Sequence, residues 1–464
     1  MARSAVRDLT HGSPMKLVLS FATPLLFGFI FQQLYNIVDT AIVGQFLGAG
    51  ALAAVGSTGS INFLILGFCM GITSGFSIPI AQSFGARDES EMRCYVANSA
   101  YLATGFGVFF ALLTGFLCPA MLRWMNTPAD ILADAVSYIQ IIFFGIPATM
   151  LYNMTSGILR ALGDSKTPVY FLVLASLVNI VLDLLLIVVV PMGVAGAAIA
   201  TVVSQVASGI GCLIVMKKRL PILHCTPAER RFRSLHARKL TAIGIPMGLQ
   251  YSITAIGSVV VQIAVNGLGT VAVAAVSAAG KLSGLFTCVF DALATTMATY
   301  AGQNIGARQL RRIDEGLKAS SIIGIIYCVL SFAMIYFFGR GMLGLFVTSS
   351  DANAAQVLDL AYEYLVISGA FFVPLLFVNI VRLSIQGMGF TQVAMCAGLA
   401  EMIARTLVGM LLVPVFGYTA ACYASPVAWL FADAFLFPCY SAIMKKLRAR
   451  LEKKETLGRV PIRQ

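Results

Sequence analysis

Long, uninterrupted apolar runs constrain this chain more than any other feature. A membrane-spanning helix needs about 20 mostly apolar residues, and roughly twelve such segments follow one another, the first near Lys16–Val43 and the last near Tyr418–Met444. The runs are too long and too continuously apolar for the alternating strands of a closed barrel, the other architecture that satisfies its backbone inside lipid. With 59% hydrophobic and 11% charged residues over 464 positions, the chain departs from the roughly 45–50% apolar and 25% charged mixture of soluble domains. A disordered chain and a disulfide scaffold are excluded with the soluble globule. The ten cysteines form no Cys-x-x-Cys pair, and most fall inside apolar runs where a thiol packs as a small hydrophobe. Ser13-Pro14 reads as an N-cap and first helical position leading into a span, so no cleavable leader is expected. The expected fold is all-α and polytopic, with twelve transmembrane helices.

The net charge of +12 is unevenly placed. If the even-numbered connections and both termini share one side, that side holds 28 of the 32 Lys and Arg residues, Arg382 among them. Only Arg123 and Arg340 lie opposite, and Lys281 and Arg405 fall within spans. Basic flanks mark the cytoplasmic side, so both termini are expected there. Because the bases flank spans, nucleic acid is not an expected partner; the tail after Met444 is expected against lipid headgroups.

The chain also repeats itself. Phe46–Val55 aligns with Gly267–Val276, and Ala81–Arg87 with Gly302–Arg308, both at an offset of 221. Downstream, Asn153 aligns with Asn379 and Leu162-Gly163 with Met388-Gly389 at an offset of 226. Two six-span halves follow, inserted the same way round, a parallel repeat of the kind transporters use. The expected division is an N-terminal six-helix bundle over 1–216, a basic linker over 217–239 too polar to span, a C-terminal bundle over 240–444 and a basic tail over 445–464.

There is no Walker A pattern, and the histidines are only His11, His224 and His236, all outside spans. An ATPase, a zinc protease of the His-Glu-x-x-His type and a serine hydrolase are therefore poorly supported, and a transporter is expected rather than an enzyme. A carboxylate at the bilayer centre costs about 2.5–3.5 kcal/mol on insertion scales. Asp39, Asp183, Asp291, Glu401 and Asp433 take such positions. Gln32, Tyr35 or Asn36, and Asp39 draw one polar stripe along the first span, and Pro24 marks a kink or hinge earlier in the same span. Asn179 and Asp183 share a helix face in the fifth span, while Thr201, Ser204, Gln205 and Ser208 form a stripe in the sixth. Back-bonding to their own helix is the simpler explanation of the two serines. Two carboxylates with Asn and Thr oxygens suit a small hard cation, and a close acid pair equally suits a transferable proton. By alignment, Asp39 faces Val261, Asp183 faces Gly409 and Asn179 faces Arg405, so the acid cluster is not duplicated.

The second half offers neutral ladders instead. Gln250 and Thr254 lead one, and Asp291 heads another that continues through Thr295 and Thr299. Asp291 is a candidate anchor for a cationic substrate, or a partner of Lys281. Gln250, Thr254, Tyr35 and Asn36 are further candidate substrate contacts. Glu401 and Arg405, four residues apart, read as a local ion pair.

Several motifs together resemble the multidrug and toxic compound extrusion (MATE) family. They are Leu34-Tyr-Asn-Ile-Val-Asp-Thr-Ala-Ile-Val-Gly44 with Leu47-Gly48, Gln82-Ser-Phe-Gly-Ala-Arg87, and Gly157-Ile-Leu-Arg-Ala-Leu-Gly-Asp-Ser-Lys-Thr-Pro168. The resemblance implies twelve spans in two bundles arranged as a V, and secondary active export of amphipathic, often cationic, compounds. It implies coupling to Na⁺ or H⁺ entry, with no other cofactor. The family's N-lobe cation site looks like Asp39, Asn179, Asp183 and Thr201 here, and its helix-bending proline looks like Pro24. No acid lies between Leu240 and Asn266, which departs from the branch that carries a Glu in the seventh span. Lipid-linked oligosaccharide flippases belong to the same superfamily and are the alternative, with amphipathic anionic cargo. A monomer in the inner membrane of a prokaryote is expected.

Overall fold

The computed structural model describes residues 7–125, 127–345 and 353–458. Arg3, Arg459 and Arg463, counted above with the cytoplasmic bases, lie outside the described residues. Among those described, the chain is helical and without strands. The first half comprises α1 (Pro14–Ser57), α2 (Gly59–Gly85), α3 (Glu89–Trp124), α4 (Leu132–Phe144), α5 (Ile146–Ala161), α6 (Lys166–Leu184) and α7 (Val194–Arg219). The second comprises α8 (Ser234–Asn266), α9 (Thr270–Gly306), α10 (Leu310–Leu343), α11 (Ala354–Ala370), α12 (Phe372–Gly387), α13 (Thr391–Leu407) and α14 (Val413–Gly458).

The described residues carry nine to eleven candidate spans, and a break in the last of them makes the expected twelve. Among the described residues nine helical stretches are long and apolar enough to cross a bilayer. Two pairs, α4 with α5 and α11 with α12, are bent by 45° and 52° and count as one span each. The last stretch, Thr391–Lys453, divides at Gly417, whose φ of 63° breaks the helix.

The repeat is written into the backbone as well as the sequence. Positive φ recurs at Gly48 and Gly269, at Arg87 and Arg308, at Gly163 and Gly389, and at Gly193 and Gly417. A π-helical turn at Leu185–Val189, just after α6, recurs at Val408–Leu412, just after α13. These last features sit 223 and 224 residues apart, not 226. The counterpart of Asp183 is therefore Thr406 or Leu407 rather than Gly409, and that of Asn179 is Met402 or Ile403 rather than Arg405.

Two compact units emerge. One gathers Phe21–Phe84 and Asp88–Ile256 with Arg7; the other gathers Asp8–Ser20, Gly85–Arg87 and the chain from Gly257 onward. In the first unit α2 and the start of α8 approach backbone to backbone. A Cβ on Gly71 would lie 2.6 Å from the Met247 carbonyl oxygen, so only glycine permits this packing. The stretch between α7 and α8 docks on α3. Glu229 pairs with Arg93 at 3.0 Å, Arg233 N donates to Asn98 Oδ1 at 2.9 Å, and His236 meets Glu91 at 3.0 Å. The Thr226 N–H, donating to Glu229 at 2.8 Å, helps hold that carboxyl down at about 2. In the second unit the stretch before α1 is tied to α9 and α10: Leu9 N donates to Gln303 Oε1 at 2.8 Å and Arg312 to the Gly12 carbonyl at 3.0 Å. The core of this unit forms where α9 packs on α12, with Phe290 and Phe372 edge to face at 5.4 Å.

Candidate functional site

Asp39 and Asp183 face one another inside the first unit. Asp39 stands on α1 and is half-buried; Asp183 stands at the end of α6 and is fully buried. Their carboxyl groups lie near enough to act on one another. Neither Asp39 Oδ1 nor Asp183 Oδ1 has a donor among the described residues. The π-helical turn beginning at Leu185 follows at once, and such turns often accompany functional sites.

The surrounding hydrogen bonds have a direction. Asn179, one turn before Asp183 and also fully buried, has its amide orientation fixed by its neighbours. Its nitrogen donates to Asp183 Oδ2 at 2.9 Å and to Tyr35 Oη at 3.1 Å, and its oxygen accepts from Thr201 N at 3.1 Å. The Thr201 hydroxyl gives its proton to the Ala197 carbonyl at 3.0 Å, so Tyr35 is the donor in its hydrogen bond with Thr201. Tyr138 on α4, buried, adds its ring to the same cluster. All four sequence-predicted cation ligands, Asp39, Asn179, Asp183 and Thr201, thus come together, joined by Tyr35. Tyr138 was not legible beforehand, because nothing in the apolar α4 sets it apart.

The remaining candidates are dispersed. Asn36 is exposed on α1, and Pro24 lies within that helix without ending it. Gln250 is buried and Thr254 half-buried on α8, where Thr254 back-bonds to the Gln250 carbonyl at 3.0 Å. Ser204 and Ser208 also back-bond within α7, the simpler of their two explanations. Asp291 is exposed on α9 in the second unit, and its charged neighbour is Arg382 rather than Lys281.

Arg382 corrects the charge tally. It is not a loop base: it lies on α12, only 8% exposed, and its Nη1 pairs with Glu401 Oε1 at 2.7 Å. Arg405 is the more distant partner of Glu401, at 3.8 Å, so the local helix pair is secondary to a pair between α12 and α13. A polar residue near a span end reads as a flank in sequence; only packing shows that its helix continues inward.

Among the described residues no three His, Cys, Asp or Glu side chains gather into a metal centre. What α1, α6 and α7 assemble is a set of hard oxygens around two carboxyl groups. The MatE family model matches residues 24–185 and 246–411, one copy in each half. The chain belongs to the MatE family. A relative in Bacillus subtilis (strain 168), "Probable multidrug resistance protein YpnP", is 33% identical over 375 residues, covering 81% of this chain and 82% of its own length. The "FAD transporter" of Shewanella oneidensis is 24% identical over 366 residues, 78% of this chain and 79% of its own. A solved structure, "Crystal structure of MATE in complex with MaL6", shares the fold with a TM-score of 0.89, at 21% identity, over 97% of this chain and 100% of that one. This MatE chain is a multi-pass membrane protein, and the two family matches coincide with the two halves of the repeat.

Proposed function

We propose that this MatE chain is a proton-coupled exporter of amphipathic organic cations, with Asp39 and Asp183 carrying the coupling proton. The observation that carries the reading is the acid pair itself: two carboxyl groups act on one another, and no base among the described residues acts on either. Asn179 turns its nitrogen to Asp183, so a Na⁺ ligand set requires the amide to turn over. Occupancy matters because binding shifts a conformational equilibrium only by its differential affinity for the two states. Proton entry neutralises the pair in one state of α1, and Pro24, which removes one backbone hydrogen bond within α1, is the hinge. Asp291, Gln250, Thr254, Tyr35 and Asn36 are the proposed substrate contacts. The protein works as a single chain in a bacterial cell membrane with both ends cytoplasmic, so a cysteine placed at Arg230 is labelled only in everted vesicles.

The test is efflux of ethidium from everted vesicles with either a pH or a Na⁺ gradient imposed alone. Export driven by pH alone supports the reading; export driven by Na⁺ alone overturns the proton assignment. A second reading has its own observation. The Shewanella relative is named for an anionic cargo, and Arg382 and Arg405 are buried bases. Transport of FAD but not of ethidium favours that alternative.

A further inference from the structure

Each half turns from its second span to its third through an arginine in left-handed backbone. Arg87 and Arg308 both have φ of 59°, a conformation that suits glycine better. Their side chains differ in what they meet. Arg87 Nη2 lies 3.1 Å from His11 Nε2. The Arg308 side chain has no hydrogen-bond or ion-pair partner among the described residues, and it lines a cavity of about 500 Å³. Arg450 and Lys453 on α14 line the same cavity. The walls between the bases are apolar: Ile305 and Leu310 from either side of the turn, Leu447 and Leu451 from α14. Leu447, Arg450 and Leu451 recur at i, i+3 and i+4, so one face of α14 closes the cavity.

The acids nearby are engaged elsewhere. Tyr440 Oη donates to Asp314 Oδ1 at 2.9 Å, and Arg448 pairs with the same carboxylate, which fastens the end of α14 to α10. Glu315 is taken by Arg311 at 3.1 Å. Three cations thus face the cavity with no carboxylate paired to them among the described residues. Its place in the membrane follows from the helices. Both α9 and α10 qualify as spans, so the turn between them lies at a membrane face. From the break at Gly417 to Gly458, α14 runs about 60 Å at 1.5 Å per residue, roughly twice the hydrocarbon core. Its basic end therefore continues past the lipid tails, beside that turn.

We propose that this cavity binds the phosphate headgroup of an anionic phospholipid, with Arg308, Arg450 and Lys453 around the phosphate and the apolar walls against the glycerol and the first acyl methylenes. The site is independent of the coupling ion and of the exported substrate. A free inorganic anion compensates the bases but leaves the leucines wet. A neutral apolar molecule covers the leucines but leaves three like charges together. An amphiphile with a negative head does both, and the headgroups of the surrounding bilayer lie at the level of this turn. The two guanidinium forks each offer parallel donors to phosphate oxygens, and Lys453 adds a point charge. The left-handed backbone fixes the direction in which Arg308 leaves the turn, so one fork is placed before the lipid arrives. Three bases exceed the charge of one phosphodiester, so a lipid with two phosphates, cardiolipin, binds more tightly than phosphatidylglycerol.

The test is a lipid titration of purified full-length protein in a neutral detergent, read as the rise in thermal midpoint. Cardiolipin is expected to raise the midpoint most, phosphatidylglycerol less and phosphatidylcholine least. Equal rises with cardiolipin and phosphatidylcholine overturn the proposal, and an equal rise with inorganic phosphate overturns the assignment to lipid. Arg308→Gly suits the left-handed backbone, so its lipid-free midpoint stays at or above that of the wild type. Its apparent affinity for cardiolipin should fall about tenfold, the loss of one charge-assisted contact. Arg450→Gln should weaken binding in the same way, and Arg450→Lys should restore part of it, which separates charge from packing. Arg87→Gly removes the guanidinium at the equivalent backbone position, beside His11, and must leave the affinity unchanged. Wild-type affinity in Arg308→Gly or in Arg450→Gln overturns the site. An equal loss in Arg87→Gly overturns it as well, because the effect is then one of overall charge.

Discussion

In the first unit, Asp39 and Asp183 meet among an amide, two hydroxyls and a ring, and no base among the described residues acts on them. In the second, Glu401 and Asp433 lie with Arg382 and Arg405. Both settings follow one backbone plan, down to the π-helical turns after α6 and α13. Duplication preserved the scaffold, and the side chains diverged in how a buried acid is compensated. A guanidinium compensates permanently. A proton compensates exchangeably, and only exchange can be coupled to transport. On the proposed reading the first unit is the one that switches, and the Glu401 charge of the second is held in place.

The sharpest way to break this comparison is to neutralise the exchangeable acids. Asp39→Asn and Asp183→Asn should each abolish pH-driven ethidium export while leaving expression and thermal stability at or above wild type, because they remove a charge that lipid disfavours. Export at wild-type rates from normally expressed protein places the coupling elsewhere. Unfolding of both variants makes the first cluster structural, like the second.

Glu401→Gln should behave in the opposite way. It leaves Arg382 and Arg405 buried with no carboxylate at hydrogen-bonding distance, and breaking one side of a buried pair costs about 3–5 kcal/mol. A large drop in the thermal midpoint is expected. Arg382→Met combined with Glu401→Leu should recover part of it, since an apolar replacement of a buried pair is often tolerated. If Glu401→Gln is as stable as Asp39→Asn, the distinction between fixed and exchangeable compensation fails.

The shared backbone is tested by paired glycines. Gly193 and Gly417 have φ of 62° and 63°, and a Cβ at either would meet nothing within 4 Å. Their ψ of -145° and -140° puts both in a region that essentially only glycine adopts, so alanine is penalised by conformation alone, roughly 1–3 kcal/mol at each site. Equal losses of thermal stability in Gly193→Ala and Gly417→Ala are expected, with the pH dependence of export unmoved. Unequal losses mean that the halves have diverged in backbone too.

The span count, the repeat and the four residues around the acid pair were legible because each leaves a local mark. Apolar length marks a span, a conserved offset marks a repeat, and an acid inside an apolar run stands out by its cost. Arg382 was misread because its sequence position resembles a flank, and its partner Glu401 lies on another helix. Tyr138 carried no mark at all: a tyrosine in an apolar helix reads as an interfacial or core residue until a neighbouring carboxyl is seen. The pairing of Asp183 with Gly409 failed because the offset shortens by two to three residues before the π-helical turns, and nothing between the motifs signals it.

The smallest effect is the most diagnostic for the ion. Thr201 Oγ1 accepts from Tyr35 and donates to Ala197, so under proton coupling it only positions the ring beside the acids. Thr201→Ala then removes the back-bond to Ala197 and the one neutral hydrogen bond that reaches the site, the latter worth ~1 kcal/mol, and pH-driven export should slow by about fivefold. Under sodium coupling the same oxygen is a ligand, and its loss cannot be made good by Tyr35, whose ring fixes its reach. Export driven by Na⁺ should then vanish in Thr201→Ala. Asn179→Ala should follow the same pattern with a larger loss, because it also deprives Asp183 of its 2.9 Å donor. Efflux in everted vesicles under each gradient separates the two. A mild Thr201→Ala keeps the first unit a proton site, whereas a null Thr201→Ala turns Asn179 over and makes the cluster a sodium cage.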